Sequence, residues 1–349
     1  MPHIETLEPK KQEFDILFGQ KPLTRFKDYR KSIKVDLIKS DDFETMLAGT
    51  FDFVRATWSK DGKESTRATR EEMVDALHQM FEGKALQLGL ETVNFIFRIS
   101  GITRIDTHQI VRQRIGVTFS QMCSGDQFWS HRDCLIEECI SQDADLEDKY
   151  INATLAAKNA YSDMNDTFRV SIQAAREILP QNLDTFIFMR VDLSTLLQFY
   201  KKRIDDGSQT WAINEIARQM QEEVCKKFPE MKSAFDKMKG SFDFQKKASA
   251  DRKNTFSTSL YLPKKDEFDY HNRDFLYPMT KEQMHFTNTP IKDRFFWGWE
   301  EISKTQYEHI ENAYSQFNKE VKKNTWDNEE IKMRAKVINS KLETEISTL

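Results

Sequence analysis

Three segments of the chain have the hydrophobic pattern of β-strands. In Glu91–Ser100 (ETVNFIFRIS) apolar residues occupy alternate positions, and Leu183–Asp192 (LDTFIFMRVD) is a second strongly β-type run. A shorter alternation covers Ile33–Ser40. Because successive side chains of a strand point to opposite faces, the alternating segments predict strands with one face buried.

Helical spacing dominates the sequence between these strands. Apolar residues three and four apart predict helices over residues 41–58, 70–89, 102–114, 133–162, 170–180, 193–203 and 210–228. Asp42 and Asp192 stand at positions where they can cap two of these helices, and Pro180 ends another. Strands interspersed with long helices indicate the α+β class.

The composition changes along the chain and suggests three regions. Residues 1–30 are charged and aperiodic, which predicts a peripheral arm, and residues 31–240 contain the periodic elements. Residues 241–349 mix aromatic residues with Lys and Glu and predict a mostly helical extension. The extension is either a stabilising flank, a cover over the active-site mouth, part of an oligomer interface or a surface for a partner.

Composition also excludes several classes of protein. The net charge of −4 argues against a broad nucleic-acid-binding surface. No apolar run approaches the roughly 20 residues of a membrane span, and the first 15 residues lack the apolar core of a signal peptide. The four cysteines have no metal-ligand spacing, so we expect reduced thiols, no metal site and a cytoplasmic location.

Positive charge is concentrated in one otherwise apolar segment. Between positions 98 and 114 the single acid Asp106 stands among four arginines, Arg98, Arg104, Arg112 and Arg114. Gln109 and Arg112 are three residues apart in the predicted helix, so both side chains can reach one ligand. The planar guanidinium suits phosphate, and the cluster therefore predicts an anion site. For each arginine taken singly, an ion pair or a helix C-terminal cation is the alternative.

Common catalytic motifs are absent from the sequence. There is no GxSxG, no GxGxxG and no GxxxxGK[ST], which argues against a nucleophile elbow, a Rossmann site and a P-loop. His108 and His131 are candidate acid–base groups, but neither has a partner identifiable from sequence, so a structural role is the alternative.

Several segments, in order, resemble the flavin-dependent thymidylate synthases. Val93–Arg114 (VNFIFRISGITRIDTHQIVRQR) is similar to that family's Phe-rich strand, its helix with Gln three residues before an arginine, and its Arg-His-Arg sequence. Ala174–Pro180 (AAREILP) and Leu196–Gln209 (LLQFYKKRIDDGSQ) resemble later family segments. The resemblance covers roughly residues 33 to 230.

The resemblance implies a fold and a reaction. The fold is a mixed or antiparallel sheet flanked by long helices, in a homotetramer that binds FAD at subunit interfaces. The reaction converts dUMP to dTMP, with methylenetetrahydrofolate as carbon donor and NADPH as reductant. Catalysis in the family uses no cysteine nucleophile and depends on positioning and electrostatics.

The resemblance also implies site residues, carried over position by position. The positions that match nucleotide-binding residues are Gln109, Arg112, Ser124, Gly125, Arg176 and Arg203. Those that match flavin-binding residues are Thr92, Arg112, Gln113, Arg114, Asp192 and Gln198. Arg203 and Ser124 are expected to take part in the reaction itself, with Ser120 as the alternative loop serine.

Four departures from the family pattern fall mainly on the flavin side. Gln113 and Thr92 stand where the family has His, and Asp192 and Ser194 replace an Asn and an Arg. Three functions follow as hypotheses: methylation of dUMP, hydroxymethylation of dUMP or dCMP, and nucleotide binding or scaffolding without catalysis. Binding of single-stranded nucleic acid through Arg and aromatic residues is a further alternative, against which the net acidity argues.

Overall fold

The computed structural model describes residues 19–125, 128–141, 144–166, 170–204, 211–239 and 291–347. The chain divides into two compact units. Unit 1 takes residues from 1–32, 122–184 and 287–349, and unit 2 takes residues from 33–121 and 185–286.

The secondary structure of the described residues is numbered in chain order. The strands are β1 (Leu23–Asp28), β2 (Lys34–Ser40), β3 (Asn94–Ile102), β4 (Val117–Gln121), β5 (Cys134–Ile136), β6 (Thr185–Asp192), β7 (Arg294–Trp297) and β8 (Glu300–Ile302). The helices are α1 (Tyr29–Ser32), α2 (Phe43–Arg55), α3 (Arg70–Phe81), α4 (Arg104–Ile110), α5 (Glu138–Ser141), α6 (Ala144–Asp166), α7 (Ile172–Ala175), α8 (Leu193–Arg203), α9 (Trp211–Lys227), α10 (Lys232–Lys239), α11 (Lys304–Lys323) and α12 (Asn328–Ile346).

Unit 2 is built on an antiparallel sheet in the order β2-β3-β6-β4. Phe95, Phe97 and Ile99 of β3 are fully buried, whereas Ile96 and Arg98 between them are only partly buried. This alternation confirms the predicted half-buried strand, and β2 and β6 confirm the other two predictions.

The helices of unit 2 bury the apolar stripes that the sequence predicts. The stripe of α9 that packs into the core consists of Ile213, Ile216, Met220 and Val224, with Phe228 after the helix end. The caps are also confirmed, since Asp42 accepts a hydrogen bond from Thr45 N at 2.9 Å and Asp192 accepts one from Thr195 N at 2.7 Å.

Unit 1 contains a mixed sheet in the order β5-β1-β7-β8. The central strand β1 runs parallel to β5 and antiparallel to β7. One core cluster joins β1 and β7 to the C-terminal helices and includes Leu23, Phe295, Trp297, Tyr307, Ile310, Tyr314 and Leu342. Together the two sheets confirm the α+β class with mixed and antiparallel pairing.

Two parts of unit 1 differ from the sequence-based expectation. Leu23–Asp28, placed by sequence in a peripheral arm, forms the strand β1 with two neighbours. Cys134–Ile136, predicted to begin a long helix, forms β5 with all three side chains buried. A three-residue apolar run has no period of its own, and here pairing with β1 decides its conformation.

The described part of the C-terminal region, residues 291–347, is mostly helical and belongs to unit 1. Its strand β7 pairs directly with β1, and Trp297 Nε1 donates a hydrogen bond to Tyr314 Oη at 2.8 Å. Residues 1–18, 205–210 and 240–290 of the predicted arm, turn and extension lie outside the described residues. The division of the chain into arm, catalytic domain and extension at residues 30 and 240 stays a prediction. The two compact units have other boundaries.

Candidate active site

The turn after α4 presents the two arginines that the sequence singled out. Helix α4 begins with a capping box in which Asp106 accepts hydrogen bonds from Thr103 N at 2.7 Å and from Thr103 Oγ1 at 2.6 Å. The carboxylate of Asp106 is thereby directed to the start of the helix. Arg112 and Arg114 are exposed in the turn, beyond the helix end.

The predicted helix over residues 102–114 is wrong at its C-terminal end. Helix α4 ends at Ile110, and Gln113 N donates to the carbonyl of Ile110 at 3.2 Å, which closes a turn. Gln109 and Arg112 therefore do not share a helix face. The physical reason is that the chain must reverse here to enter β4 at Val117.

Gly116 fixes this turn against the start of α8. Its φ is +71°, and its carbonyl accepts a hydrogen bond from Asp192 N at 3.1 Å. A Cβ atom at this position would lie 2.0 Å from Thr195 Oγ1 and 2.1 Å from Asp192 Oδ2. Only glycine fits, because the turn backbone lies directly on the capping group of α8.

Contacts with Gln109 and Phe199 help to orient the side chain of Arg203. Its Nη2 donates to the carbonyl of Gln109 at 3.2 Å, and its guanidinium lies 5.6 Å from the ring centre of Phe199. The structure thus brings together two residues predicted to bind the nucleotide, one from α4 and one from the end of α8. The partly buried guanidinium of Arg203 is held in place before any ligand binds.

The residues predicted to contact flavin fall into two kinds. Thr92 Oγ1 donates to the carbonyl of Gly89 at 2.7 Å, and both carboxylate oxygens of Asp192 accept hydrogen bonds from Thr195. The polar groups of Thr92 and Asp192 are therefore engaged inside unit 2. Gln198 is exposed on α8, and Gln113 is partly buried and donates to the carbonyl of Ile115 at 3.4 Å.

The remaining predicted residues belong to unit 1. Ser124 and Gly125 form a turn after Met122, and Arg176 lies in the 3₁₀ turn that follows α7. A Cβ atom at Gly125 would lie 2.7 Å from Arg176 Nη1, so the guanidinium rests against the backbone of this turn. The alternative serine, Ser120, is exposed on β4 in unit 2.

The arginines of the predicted anion site have different environments. Arg98 pairs with Asp36 at 3.5 Å and lies 5.5 Å from the ring centre of Phe186, so its ion pair confirms the structural alternative. Within the described residues, no carboxylate lies within salt-bridge distance of Arg112, Arg114 or Arg176. Because arginine stays protonated, these three guanidinium groups are available to anions.

The two candidate histidines differ in burial. His108 is exposed on α4, whereas Nε2 of His131 is buried. Burial, with a contribution from the nearby Lys158, lowers the pKa of His131 to about 3. His131 is therefore neutral near pH 7, which favours a structural role over proton transfer.

Sequence reasoning missed Lys158, a fully buried lysine of α6. Its Nζ donates to Thr24 Oγ1 at 2.6 Å and to the carbonyl of Arg132 at 2.5 Å. A signal was present, because Lys158 continues the buried stripe Ile151, Leu155 at helical spacing. A charged residue at a core position indicates a buried polar contact.

The described residues also bear on membrane-spanning helices and metal sites. None of the helices in these ranges combines the length and apolar character needed to cross a membrane. Within the same residues, no group of three His, Cys, Asp or Glu side chains could hold a metal ion. Among the described residues, Cys123, Cys134 and Cys225 form no disulfide.

Comparison with known proteins gives one family match and several relatives. The family model described as thymidylate synthase complementing protein matches residues 38–230. The flavin-dependent thymidylate synthase of Pyrococcus furiosus is 32% identical over 142 residues, which cover 40% of this chain and 57% of the relative. That of Pyrococcus abyssi is 29% identical over 174 residues, covering 49% and 70%. The chain thus spans just over half the length of the first of these relatives.

The solved structures that resemble this chain share less sequence identity with it than these relatives do. The UMP/dUMP methylase PolB from Streptomyces cacaoi bound with 5-Br dUMP has 14% identity and a TM-score of 0.49, with 60% of this chain and 96% of that chain covered. Thymidylate synthase X from Helicobacter pylori with FAD and dUMP has 14% identity and a TM-score of 0.45, with 59% and 98% covered.

Proposed function

The chain belongs to the thymidylate synthase complementing protein family, and we propose that it is a flavin-dependent enzyme that methylates dUMP to dTMP. Methylenetetrahydrofolate is the proposed carbon donor, NADPH the reductant and FAD the cofactor. The observation that carries the proposal is the pair of exposed arginines, Arg112 and Arg114, beside the ordered Gln109–Arg203 contact.

Each of the two units contains residues that we propose as nucleotide contacts. In unit 2 these are Gln109, Arg112 and Arg203, and Arg203 is already oriented by Gln109 and Phe199. A guanidinium held in this way can donate to a uracil carbonyl and stabilise negative charge that develops on the ring. In unit 1 they are Ser124, Gly125 and Arg176, and Arg176 offers a bidentate donor for phosphate.

The residues around the turn after α4 fit an anionic dinucleotide cofactor. Arg112 and Arg114 are exposed, and in the described part of the chain neither has a carboxylate within salt-bridge distance, which suits a pyrophosphate. Gln113 and Gln198 offer amide groups, whereas Thr92 and Asp192 would support the site indirectly by ordering its backbone. When bound, FAD would supply the redox chemistry that these side chains lack.

The proposal includes the assembly and the location of the enzyme. By resemblance to its family, the protein forms a homotetramer in which subunits complete one another's active sites. We propose a cytoplasmic location, in line with the composition and with cysteines that form no disulfide among the described residues.

Gln113 favours a second candidate function. It occupies the position at which the family has His, between the exposed Arg112 and Arg114. An amide cannot become charged as imidazole can, so the altered flavin surface is compatible with a different one-carbon product. This product is a hydroxymethyl group placed on dUMP or dCMP.

The deciding experiment weighs the nucleotide product. The protein is incubated with FAD, NADPH and methylenetetrahydrofolate, and dUMP and dCMP are offered separately. A methyl-sized mass gain on dUMP supports the first function, and a hydroxymethyl-sized gain on either nucleotide supports the second. No gain, together with a colourless protein that cannot be reconstituted with FAD, contradicts both and leaves a non-catalytic nucleotide-binding or scaffold role.

A matched pair of variants tests the role of Arg203. Arg203→Ala is expected to lower kcat about 100-fold or more, because it removes a preoriented donor to the reacting ring. Arg218→Ala is the control, since Arg218 is exposed on α9 and, among the described residues, its ion pairs are with Glu215 and Glu222 of the same helix. Equal activity of the two variants would contradict a catalytic role for Arg203.

A further inference from the structure

Lys158 makes a buried link between three segments of unit 1. It projects from α6, is fully buried, and donates to Thr24 of β1 and to the backbone carbonyl of Arg132. Burial lowers the pKa of this amine. A buried lysine therefore costs folding free energy at a core position that an apolar residue could fill. Such a group indicates a specific positional role.

Arg132 transmits this link to the turn that carries Ser124. Its guanidinium donates to the sulfur of Met122 and lies 5.7 Å from the ring centre of Trp129. Met122 is buried and stands two residues before Ser124. The path from Lys158 through Arg132 to Met122 therefore ends at the Ser124–Gly125 turn against which Arg176 rests.

A second contact reaches the same segment from the C-terminal region. The ring of His131 meets the ring of Tyr314 of α11 edge-on, with centres 5.6 Å apart. Tyr314 is itself fixed by Trp297 Nε1 at 2.8 Å and by Asn339 Oδ1 at 2.7 Å. Thr24 and Tyr314 both lie outside residues 38–230, so this support comes from segments beyond the family match.

We propose that Lys158 is a positioning residue for nucleotide binding, which holds the Ser124–Gly125 turn in place through the carbonyl of Arg132. The proposal rests on the proposed function. Segments outside the family match contact the same region, since Thr24 of β1 accepts a hydrogen bond from Lys158 and Tyr314 of α11 contacts His131, the neighbour of Arg132.

The test compares two nearly isosteric variants of one contact. Lys158→Met keeps the length of the side chain but removes both hydrogen bonds, whereas Thr24→Val removes only the bond to β1. Titration with dUMP is expected to show a Kd about tenfold higher for Lys158→Met, since the hydrogen bond from the Lys158 amine to the carbonyl of Arg132 is lost. Thr24→Val is expected to bind dUMP as the wild type does. In turnover, the KM for dUMP rises in Lys158→Met.

Two further measurements keep the proposal decidable. If Lys158→Met does not fold, Met122→Leu decides, because it conserves volume and removes only the sulfur acceptor of Arg132. A threefold or larger rise in the Kd for dUMP supports the proposal, and an unchanged Kd in a folded variant overturns it.

Hydrogen exchange separates this proposal from the proposed function. If the wild type binds neither dUMP nor dCMP, the proposed function fails, but the Ser124 and Gly125 amides can still be followed. Faster exchange at these two amides in Lys158→Met, with no change in Thr24→Val, supports the positioning role. Equal exchange in both variants contradicts it.

Discussion

Substitution of Gly116 by alanine tests how the turn with Arg112 and Arg114 is held. The residue adopts φ +71°, and an added Cβ would lie 2.0 Å from Thr195 Oγ1 and 2.1 Å from Asp192 Oδ2. The left-handed conformation alone costs a residue with a Cβ about 1–2 kcal/mol. Relief of the overlap requires the capping contact between Asp192 and Thr195 to open, which costs about 1 kcal/mol.

The expected loss for Gly116→Ala is therefore about 2–3 kcal/mol in the free energy of unfolding. Gly62 provides a matched control, because its φ is +70° and an added Cβ meets no atom within 4 Å. Gly62→Ala carries only the conformational cost of about 1–2 kcal/mol. The difference between the two variants isolates the overlap with the α8 cap.

Urea unfolding followed by circular dichroism measures both variants against the wild type. The midpoint should fall further for Gly116→Ala than for Gly62→Ala, with similar m-values. Equal midpoints would refute the argument that the turn backbone rests on the α8 cap. Loss of FAD affinity in Gly116→Ala but not in Gly62→Ala is expected as well, since the same contact orders Arg112 and Arg114.

Two further predictions concern pH. In the folded protein the pKa of His131 is about 3, below its usual value near 6.5, so on acidification the unfolded chain binds the proton first. The folded state therefore loses stability as the pH falls below about 6.5, by about 1–2 kcal/mol at pH 5. His131→Phe should flatten the pH dependence of the urea midpoint. Burial raises the pKa of Asp166 to about 6, so the native state gains stability on acidification through pH 6 and is less stable above it. In Asp166→Asn the amide oxygen can still accept a hydrogen bond from Gly19 N. This variant should raise the free energy of unfolding at pH 7.5 by about 1 kcal/mol after solvent screening, with no gain at pH 4. An equal gain at both pH values would disprove the raised pKa of Asp166.

Local features of the fold could be predicted from sequence because their causes lie within a few residues. The alternation along β3 and the stripe of α9 reflect which faces are buried, and Asp192 caps α8 through contacts three residues away. The α4 prediction failed at its end, because the stop at Ile110 depends on where β4 pairs with β6.

The candidate site was predictable only in part. The excess of arginine was visible in the sequence, but Arg98 turned out to pair with Asp36 of β2, a partner 62 positions earlier in the chain. The sequence around Gly116 did not indicate its role, because that role depends on how close the Asp192 carboxylate lies to its backbone. The assignment of Arg203 and Arg176 to a ligand came from family resemblance, and that of Gln109 came also from its spacing to Arg112. All three assignments stay predictions.

The sequence by itself determined the α+β class, most helices and the three main strands, because hydrophobic period and capping act between near neighbours. Only the tertiary structure decided that β1 lies between β5 and β7, and that Lys158 links Thr24 to Arg132. Strand pairing and buried polar contacts depend on which distant surfaces meet in the core. Which surfaces meet is determined by burial over the whole unit, so a local sequence pattern does not predict it.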